Sequence, residues 1–103
     1  MAEPEKVANL SDVPPGTMKV GMIDFRACVV ANIDGQIYVV EGTCTHMGGP
    51  LIQGTLEGEI ITCPWHGGQF NVKTGQVVSE PPALPISPFE VVLEGNDIKV
   101  AKP

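Results

Sequence analysis

Basic residues are scarce: six Lys and Arg against twelve Asp and Glu leave a net charge of −6. A surface of that sign repels phosphate backbones and anionic headgroups, which argues against a nucleic acid partner and against a membrane partner. Long apolar runs are lacking as well. No stretch approaches the roughly 20 residues needed to cross a bilayer. The start, Met1-Ala2-Glu3-Pro4-Glu5-Lys6, has neither the basic segment nor the apolar core of a secretory signal, so a cytoplasmic location is expected. Aromatic residues make up only 5% against 43% hydrophobic overall, so the interior must be built from Val, Ile, Leu and Ala around a few anchors such as Tyr38 and Phe89. Cysteine is limited to three, an odd number that suits a reducing compartment better than a disulfide framework.

At 103 residues the chain reads as one domain over 1–103, of a size that buries roughly two thirds of its unfolded surface. Periodicity points to strands nearly everywhere. Met18 to Ile23, Ala27 to Ile33 and Gln36 to Val40 are short, rich in β-branched residues and bounded by turn signals. Asp34-Gly35 between the last two is a two-residue hairpin signal, because Gly accepts the positive φ such a turn needs. Leu56 to Thr62 carries Glu57-Gly58 as a turn. Gln69 to Val72 and Gln76 to Val78 flank Lys73-Thr74-Gly75, and Phe89 to Leu93 meets Ile98 to Ala101 across Glu94-Gly95-Asn96-Asp97. The one helical turn expected begins at Ser11, as its cap, before Pro14 and Pro15 intervene. Pro81 to Pro88 cannot be a central strand, since its prolines lack ladder donors. It reads as a stiff extended loop, serving either as a plain connector or as a wall beside a site. The fold class is all-β, in stacked antiparallel sheets.

Two segments carry chemistry. Cys44-Thr45-His46 and Cys63-Pro64-Trp65-His66 each hold one cysteine and one histidine, separated by sixteen residues. Two thiolates and two imidazoles converge on one metal centre if the intervening chain folds back. His46 or His66 alone would read as an ordinary polar residue, but the mutual spacing with two cysteines argues for ligation. A structural zinc of the Cys2His2 type uses the same donors, yet usually presents its cysteines together and its histidines together. Gly48, Gly49, Gly67 and Gly68 surround the donors, either as plain turn glycines or to let the backbone come close to the centre. Met47 and Trp65 fit two roles, shielding the centre from water or packing the loops. The third cysteine, Cys28, within Ala27-Cys28-Val29-Val30-Ala31, reads as a small buried apolar side chain.

With those residues in place, Cys44-Thr45-His46-Met47-Gly48-Gly49 and Cys63-Pro64-Trp65-His66-Gly67-Gly68 resemble the two cluster-binding loops of Rieske iron–sulfur proteins, and the strand pattern resembles that family over nearly the whole chain. The resemblance implies one Rieske-type 2Fe-2S cluster in a subregion of about 42–82, with Cys44 and Cys63 on the inner iron and His46 and His66 on the outer. Two thiolates and two neutral imidazoles leave an oxidised core neutral where four thiolates would leave it negative. That raises the potential to about −150 to +300 mV, against roughly −400 mV in plant-type ferredoxins.

The respiratory branch of the family usually adds a disulfide-forming cysteine to each loop, at the positions held here by Gly49 and Trp65. It also places a serine and a tyrosine, as donors to the cluster, where this chain has Gly68 and Phe70. Losing such donors lowers the potential, so a centre near the bottom of the range, about −150 mV, is expected.

With all four ligand positions taken and no general base or nucleophile evident, the chain reads as an electron carrier, not an enzyme. It resembles the Rieske-type ferredoxins of bacterial multicomponent oxygenases, which pass electrons from a flavin-dependent ferredoxin reductase to a terminal, ring-hydroxylating oxygenase. A monomer is expected when free. The alternative is a Rieske-like small subunit of a larger reductase, such as assimilatory nitrite reductase. The acid excess serves solubility and, for a carrier, steering toward a basic partner.

Overall fold

The computed structural model describes residues 4–23, 26–43, 50–64, 67–79 and 85–101. Among these residues, eleven strands fall into three antiparallel sheets, joined with two single 3-10 turns, Leu10–Asp12 and Leu51–Gln53. The first sheet has the order β1-β11-β10, with β1 Glu5–Asn9, β10 Val91–Glu94 and β11 Asp97–Val100. The second has the order β2-β3-β4-β9, with β2 Met18–Ile23, β3 Arg26–Ile33, β4 Gln36–Glu41 and β9 Pro88–Phe89. The third runs in chain order, β5 Thr55–Glu57, β6 Ile60–Thr62, β7 Gln69–Asn71 and β8 Val77–Ser79.

Turn chemistry sets the registers. Ile33 pairs with Gln36 across Asp34-Gly35, both at positive φ (54° and 94°), as a type I′ turn demands. The β5–β6 turn is centred one residue later than the sequence suggests. Glu57 pairs with Ile60, leaving Gly58-Glu59 as the loop, because Gly58 takes the positive φ of 59° at the first central position. Gly95-Asn96 repeats that pattern between Glu94 and Asp97.

Two other expectations are corrected, and one strand is new. Ser11 lies inside its 3-10 turn and does not cap it. The residue before the turn is Asn9, and the turn's amides are held from a distance: Leu10 N–H donates to Asn96 O at 2.7 Å and Ser11 N–H to Asn96 Oδ1 at 2.9 Å. Glu5–Asn9, within and beyond the acidic start, is a strand because β11 offers it an open edge. The expected strand from Phe89 to Leu93 divides at Glu90. Pro88–Phe89 pairs with β4, while Val91–Glu94 pairs with β11. Pro88 has no N–H to give, which is tolerated because β9 is the outermost strand of its sheet.

The middle sheet is covered on both faces. In β3 the six residues Cys28 to Ile33 are all buried, and their side chains alternate between two apolar clusters. Cys28 and Val30 join Val13, Ile37, Val39, Ile98 and Val100 beneath the first sheet. Val29, Ala31 and Ile33 join Val40, Leu51, Ile61, Cys63, Phe70, Val72 and Ile86 beneath the third. The largest fully buried side chain is Phe70, whereas the expected anchors Tyr38 and Phe89 only pack against the margins. Asn32, a polar residue in β3, is satisfied by giving its Nδ2–H to Val13 O and accepting Gly35 N–H on Oδ1, each at 2.8 Å.

Cys28 is fully buried, as expected of a small apolar packer, and burial pushes its thiol up to about 11. Because folding favours the protonated thiol, its stabilising contribution is complete below the ordinary value of 9.0 and disappears as pH rises through about 11. Replacing Cys28 with Ala should therefore flatten the loss of unfolding free energy between about pH 9 and 11. Denaturant titrations at several alkaline pH values check this, and equal slopes for the two proteins would contradict it.

Candidate metal centre

The second cysteine–histidine segment grows out of the β6–β7 hairpin. Thr62 pairs with Gln69, and the ladder continues one step further as Cys63 N–H donates to Gly68 O at 2.7 Å. Gln69 Nε2–H donates to Thr62 Oγ1 at 3.2 Å and ties the same root through side chains. Gly67 sits at φ 71°, a region costly for any residue with a Cβ, so the return of the chain depends on glycine there. Cys63 is 2% exposed, among Leu51, Ile61 and Phe70.

The first segment is pinned at its roots in the same way. Thr43 and Pro50 form an antiparallel bridge, Leu51 N–H donates to Gly42 O at 2.9 Å, and Gly42 N–H donates to Ala27 O at 3.0 Å. The chain then turns through Leu51–Gln53 to Gly54, where a Cβ would collide with Thr62 O. Gly54 thereby lets the exit of one loop lie against the strand that enters the other. Leu51, fully buried, and Cys63 share one apolar cluster, so the roots of the two loops meet in the interior.

Of the four candidate ligands, Cys63 is placed at this junction. Cys44, His46 and His66 lie outside the described residues, as do Met47, Gly48, Gly49 and Trp65. The donor chemistry fits a cationic iron–sulfur core. A thiolate in surroundings as apolar as those of Cys63 is costly unless a positive centre neutralises it, and mixed thiolate and imidazole donors suit iron–sulfur or zinc sites over hard cations.

A third segment borders the site. Residues 80–84 of the Pro-rich stretch lie outside the described residues, but Pro85–Phe89 is tightly held. Ile86 is 1% exposed in the cluster that contains Cys63, its N–H donates to Gly75 O at 2.8 Å, and Ser87 N–H donates to Glu41 Oε1 at 2.6 Å. Gly75 adopts φ 81°, and a Cβ there would strike Ile86 O. Glu41, Gly75 and Ile86 belong to no site motif in the sequence. The available signal was Ile86-Ser87 standing between Pro85 and Pro88, two amides that must both find acceptors.

Charges are distributed unevenly. Each of the five described cations is paired: Lys6 with Asp97 and Lys99 with Glu94 at 3.0 Å, Lys73 with Glu59 at 3.2 Å, Arg26 with Glu41 at 3.4 Å and Lys19 with Asp12 at 3.7 Å. Glu57 and Glu90 have no cation beside them among the described residues, so the outward field is negative. The Asn71 amide, donating at 2.9 Å, holds the Glu59 carboxyl below its usual range, with Lys73 adding to the effect. Glu59 in turn raises Lys73, whose Nζ stands 5.8 Å from the Tyr38 ring centre and links the β7–β8 turn to the middle sheet.

Comparison with known proteins agrees with this arrangement. A model of the Rieske [2Fe-2S] domain matches residues 3–90. Ferredoxin CarAc of Metapseudomonas resinovorans is 41% identical over 97 residues, which span 93% of this chain and 91% of that protein. The ferredoxin of carbazole 1,9a-dioxygenase from Nocardioides aromaticivorans IC177 superposes with a TM-score of 0.92 at 31% identity, over 99% of this chain and all of that one. A chain from a complex of reduced oxygenase and oxidized ferredoxin in carbazole 1,9a-dioxygenase gives 0.87 at 39% identity, over 95% and 92% of the two chains.

Gly54→Ala should destabilise the protein by about 1–3 kcal/mol, the usual cost of forcing an extra methyl into a packed contact. A lower urea midpoint at unchanged slope would show it. A midpoint equal to that of the parent would mean that the two loop roots are not in contact.

Proposed function

This chain belongs to the Rieske [2Fe-2S] domain family, and on that premise we propose that it passes single electrons from a flavin-dependent ferredoxin reductase to a terminal, ring-hydroxylating oxygenase. Its cofactor is one Rieske-type 2Fe-2S cluster, which supplies reversible one-electron exchange when bound. It is an electron carrier, not itself an enzyme. One observation carries the reading: the similarity to a ferredoxin covers 93% of this chain and 91% of that relative, so the likeness is to a whole carrier protein.

In this reading residues 1–103 form one domain, with the cluster-binding subregion at about 42–82, and the protein is cytoplasmic and monomeric when free. Cys44, His46, Cys63 and His66 hold the cluster. Burial of Cys63 supports its place on the inner side, and the pinned roots of both segments support ligand loops whose geometry is set before an electron arrives. Pinned roots favour small reorganisation. Phe70 is fully buried and brings no hydroxyl to the site, which supports a low potential. The negative field supports steering toward a basic face on each partner.

Anaerobically purified protein should be coloured and, once reduced, show an electron paramagnetic resonance signal of low average g. Ala in place of His46 or His66 should abolish both; a coloured, redox-unchanged variant would remove that histidine from the ligand set. The midpoint should lie near the bottom of the Rieske range, about −150 mV, and stay constant between about pH 6 and 8, with the imidazole nitrogens that do not bind iron remaining protonated. A midpoint clearly above zero, or one falling across that pH interval, would contradict the low-potential assignment. Reduction by a flavin reductase should slow as salt is raised from about 0.01 to 0.5 M, because surface charges are screened. A salt-independent rate would remove electrostatic steering from the account.

A further inference from the structure

Glu41 stands where β4 leaves the middle sheet to become the first cysteine–histidine loop. Its main-chain N–H donates to Ser87 O at 3.0 Å, continuing the β4–β9 ladder one step beyond Val40 and Pro88. The next rung cannot come from the backbone. After Glu41 the chain bends away so that Gly42 N–H can reach Ala27 O, and the amide of Ser87 is left facing the side chain of Glu41. Oε1 takes that amide at 2.6 Å, while Oε2 lies 3.4 Å from the Arg26 guanidinium.

Beyond the β4–β9 pairs, the segment from Pro85 to Phe89 has few donors of its own to be held by. Pro85 and Pro88 have no N–H, so only Ile86 and Ser87 can donate between them. Ile86 gives its amide to Gly75 of the β7–β8 turn and its side chain to the apolar cluster that contains Leu51 and Cys63. Ser87 gives its amide to Glu41. The segment is thus a strap fastened to the third sheet through Ile86 and to the end of β4 through the β4–β9 pairs, Glu41 N–H and, one atom group further along, the Glu41 carboxylate.

From this connectivity we infer that Glu41 is a positioning residue which, through the strap Pro85–Phe89, holds the root of the 44–49 loop in register with the sheet that carries Cys63. The inference rests on the reading of those loops as cluster ligands. Glu41 touches no ligand among the described residues. It acts by fixing where Thr43 and Pro50 stand relative to Leu51 and Cys63, and what does this is the reach of its side chain, which sets an acceptor 2.6 Å from the Ser87 amide nitrogen. The groove of about 220 Å³ lined by Arg26, Ala27, Glu41, Thr43 and Phe89 gives water access to the position, so Ser87 N–H can be hydrated when Glu41 is altered. Water satisfies the amide and the β4–β9 backbone pairs persist, so folding survives, but the carboxylate no longer fixes the position of Ser87 against the root of the first loop.

Two substitutions separate reach from charge. Glu41→Gln keeps an oxygen at the same reach and loses the charge; Glu41→Asp keeps the charge and falls one methylene short. The coloured wild-type protein and both variants would be compared by the half-life of visible absorbance under a chelator, by the width of the reduced-state paramagnetic resonance line and by far-ultraviolet circular dichroism. E41D should lose colour roughly tenfold faster with a broadened line, the low end for residues that orient ligands. E41Q should stay within about twofold of wild type, and all three should share one circular dichroism spectrum. Equal lifetimes and line widths in all three, or a defect in E41Q with a normal E41D, would overturn the assignment. Colourless wild-type protein would instead overturn the cluster reading itself, so the two failures are distinguishable.

Discussion

Two loops can share one centre only if their roots are held together, and here that constraint is met by apolar burial. Leu51, at the exit of the first loop, and Cys63, at the entrance of the second, lie in one cluster with Phe70, Ile61 and Ile86. Gly54 permits the approach because any side chain would meet Thr62 O. The hydrophobic effect is non-directional and carries no information about iron, yet by burying Leu51 and Cys63 in one cluster it brings the roots of two chain segments together. Backbone pairing then refines the position, through Thr43 with Pro50 on one side and Cys63 with Gly68 on the other.

The middle sheet makes that junction possible. Residues Cys28 to Ile33 of β3 are buried on both faces, one against the first sheet and one against the third. The third sheet has strands of only three residues, too short to be stable alone, and takes its place by packing on Val29, Ala31, Ile33 and Val40. The sheet that leads into Cys63 is in effect mounted on a longer and better buried platform, and Lys73 over Tyr38 and the Glu41 strap are polar links across the same joint. An electron carrier gains from such mounting, since a site whose ligands barely move between redox states exchanges electrons with little rearrangement.

Much of this was legible in the residues. The β2, β3 and β4 segments were found nearly to the residue because Asp34-Gly35 names its own turn and the flanking runs are β-branched. The cysteine–histidine pairs announced a metal centre because thiolate and imidazole at that spacing have few other uses. Less was legible where a segment's state depends on a distant partner. Glu5–Asn9 carries no local strand signal and becomes one by meeting β11, and the turn at Leu10–Asp12 is held by Asn96 from the opposite end of the chain. Phe89 to Leu93 reads as one strand but is divided between two sheets at Glu90, since β4 and β11 each offer an edge. Tyr38 and Phe89 looked like core anchors by size, but Phe70 took the centre because β7 faces the middle sheet there.

The sequence by itself determined the class of chemistry, the all-β character and the tight turns, because donor identity, β-branching and the φ preferences of Gly and Asp are properties of residues and their near neighbours. Tertiary structure alone decided how the loops are held. That Gly54 must be small for the sake of Thr62, that Ile86 sinks into the cluster around Cys63, and that Glu41 supplies the acceptor Ser87 lacks are relations between residues 8 to 46 positions apart. Such relations follow from which faces meet when three sheets stack, and no local rule of propensity contains them.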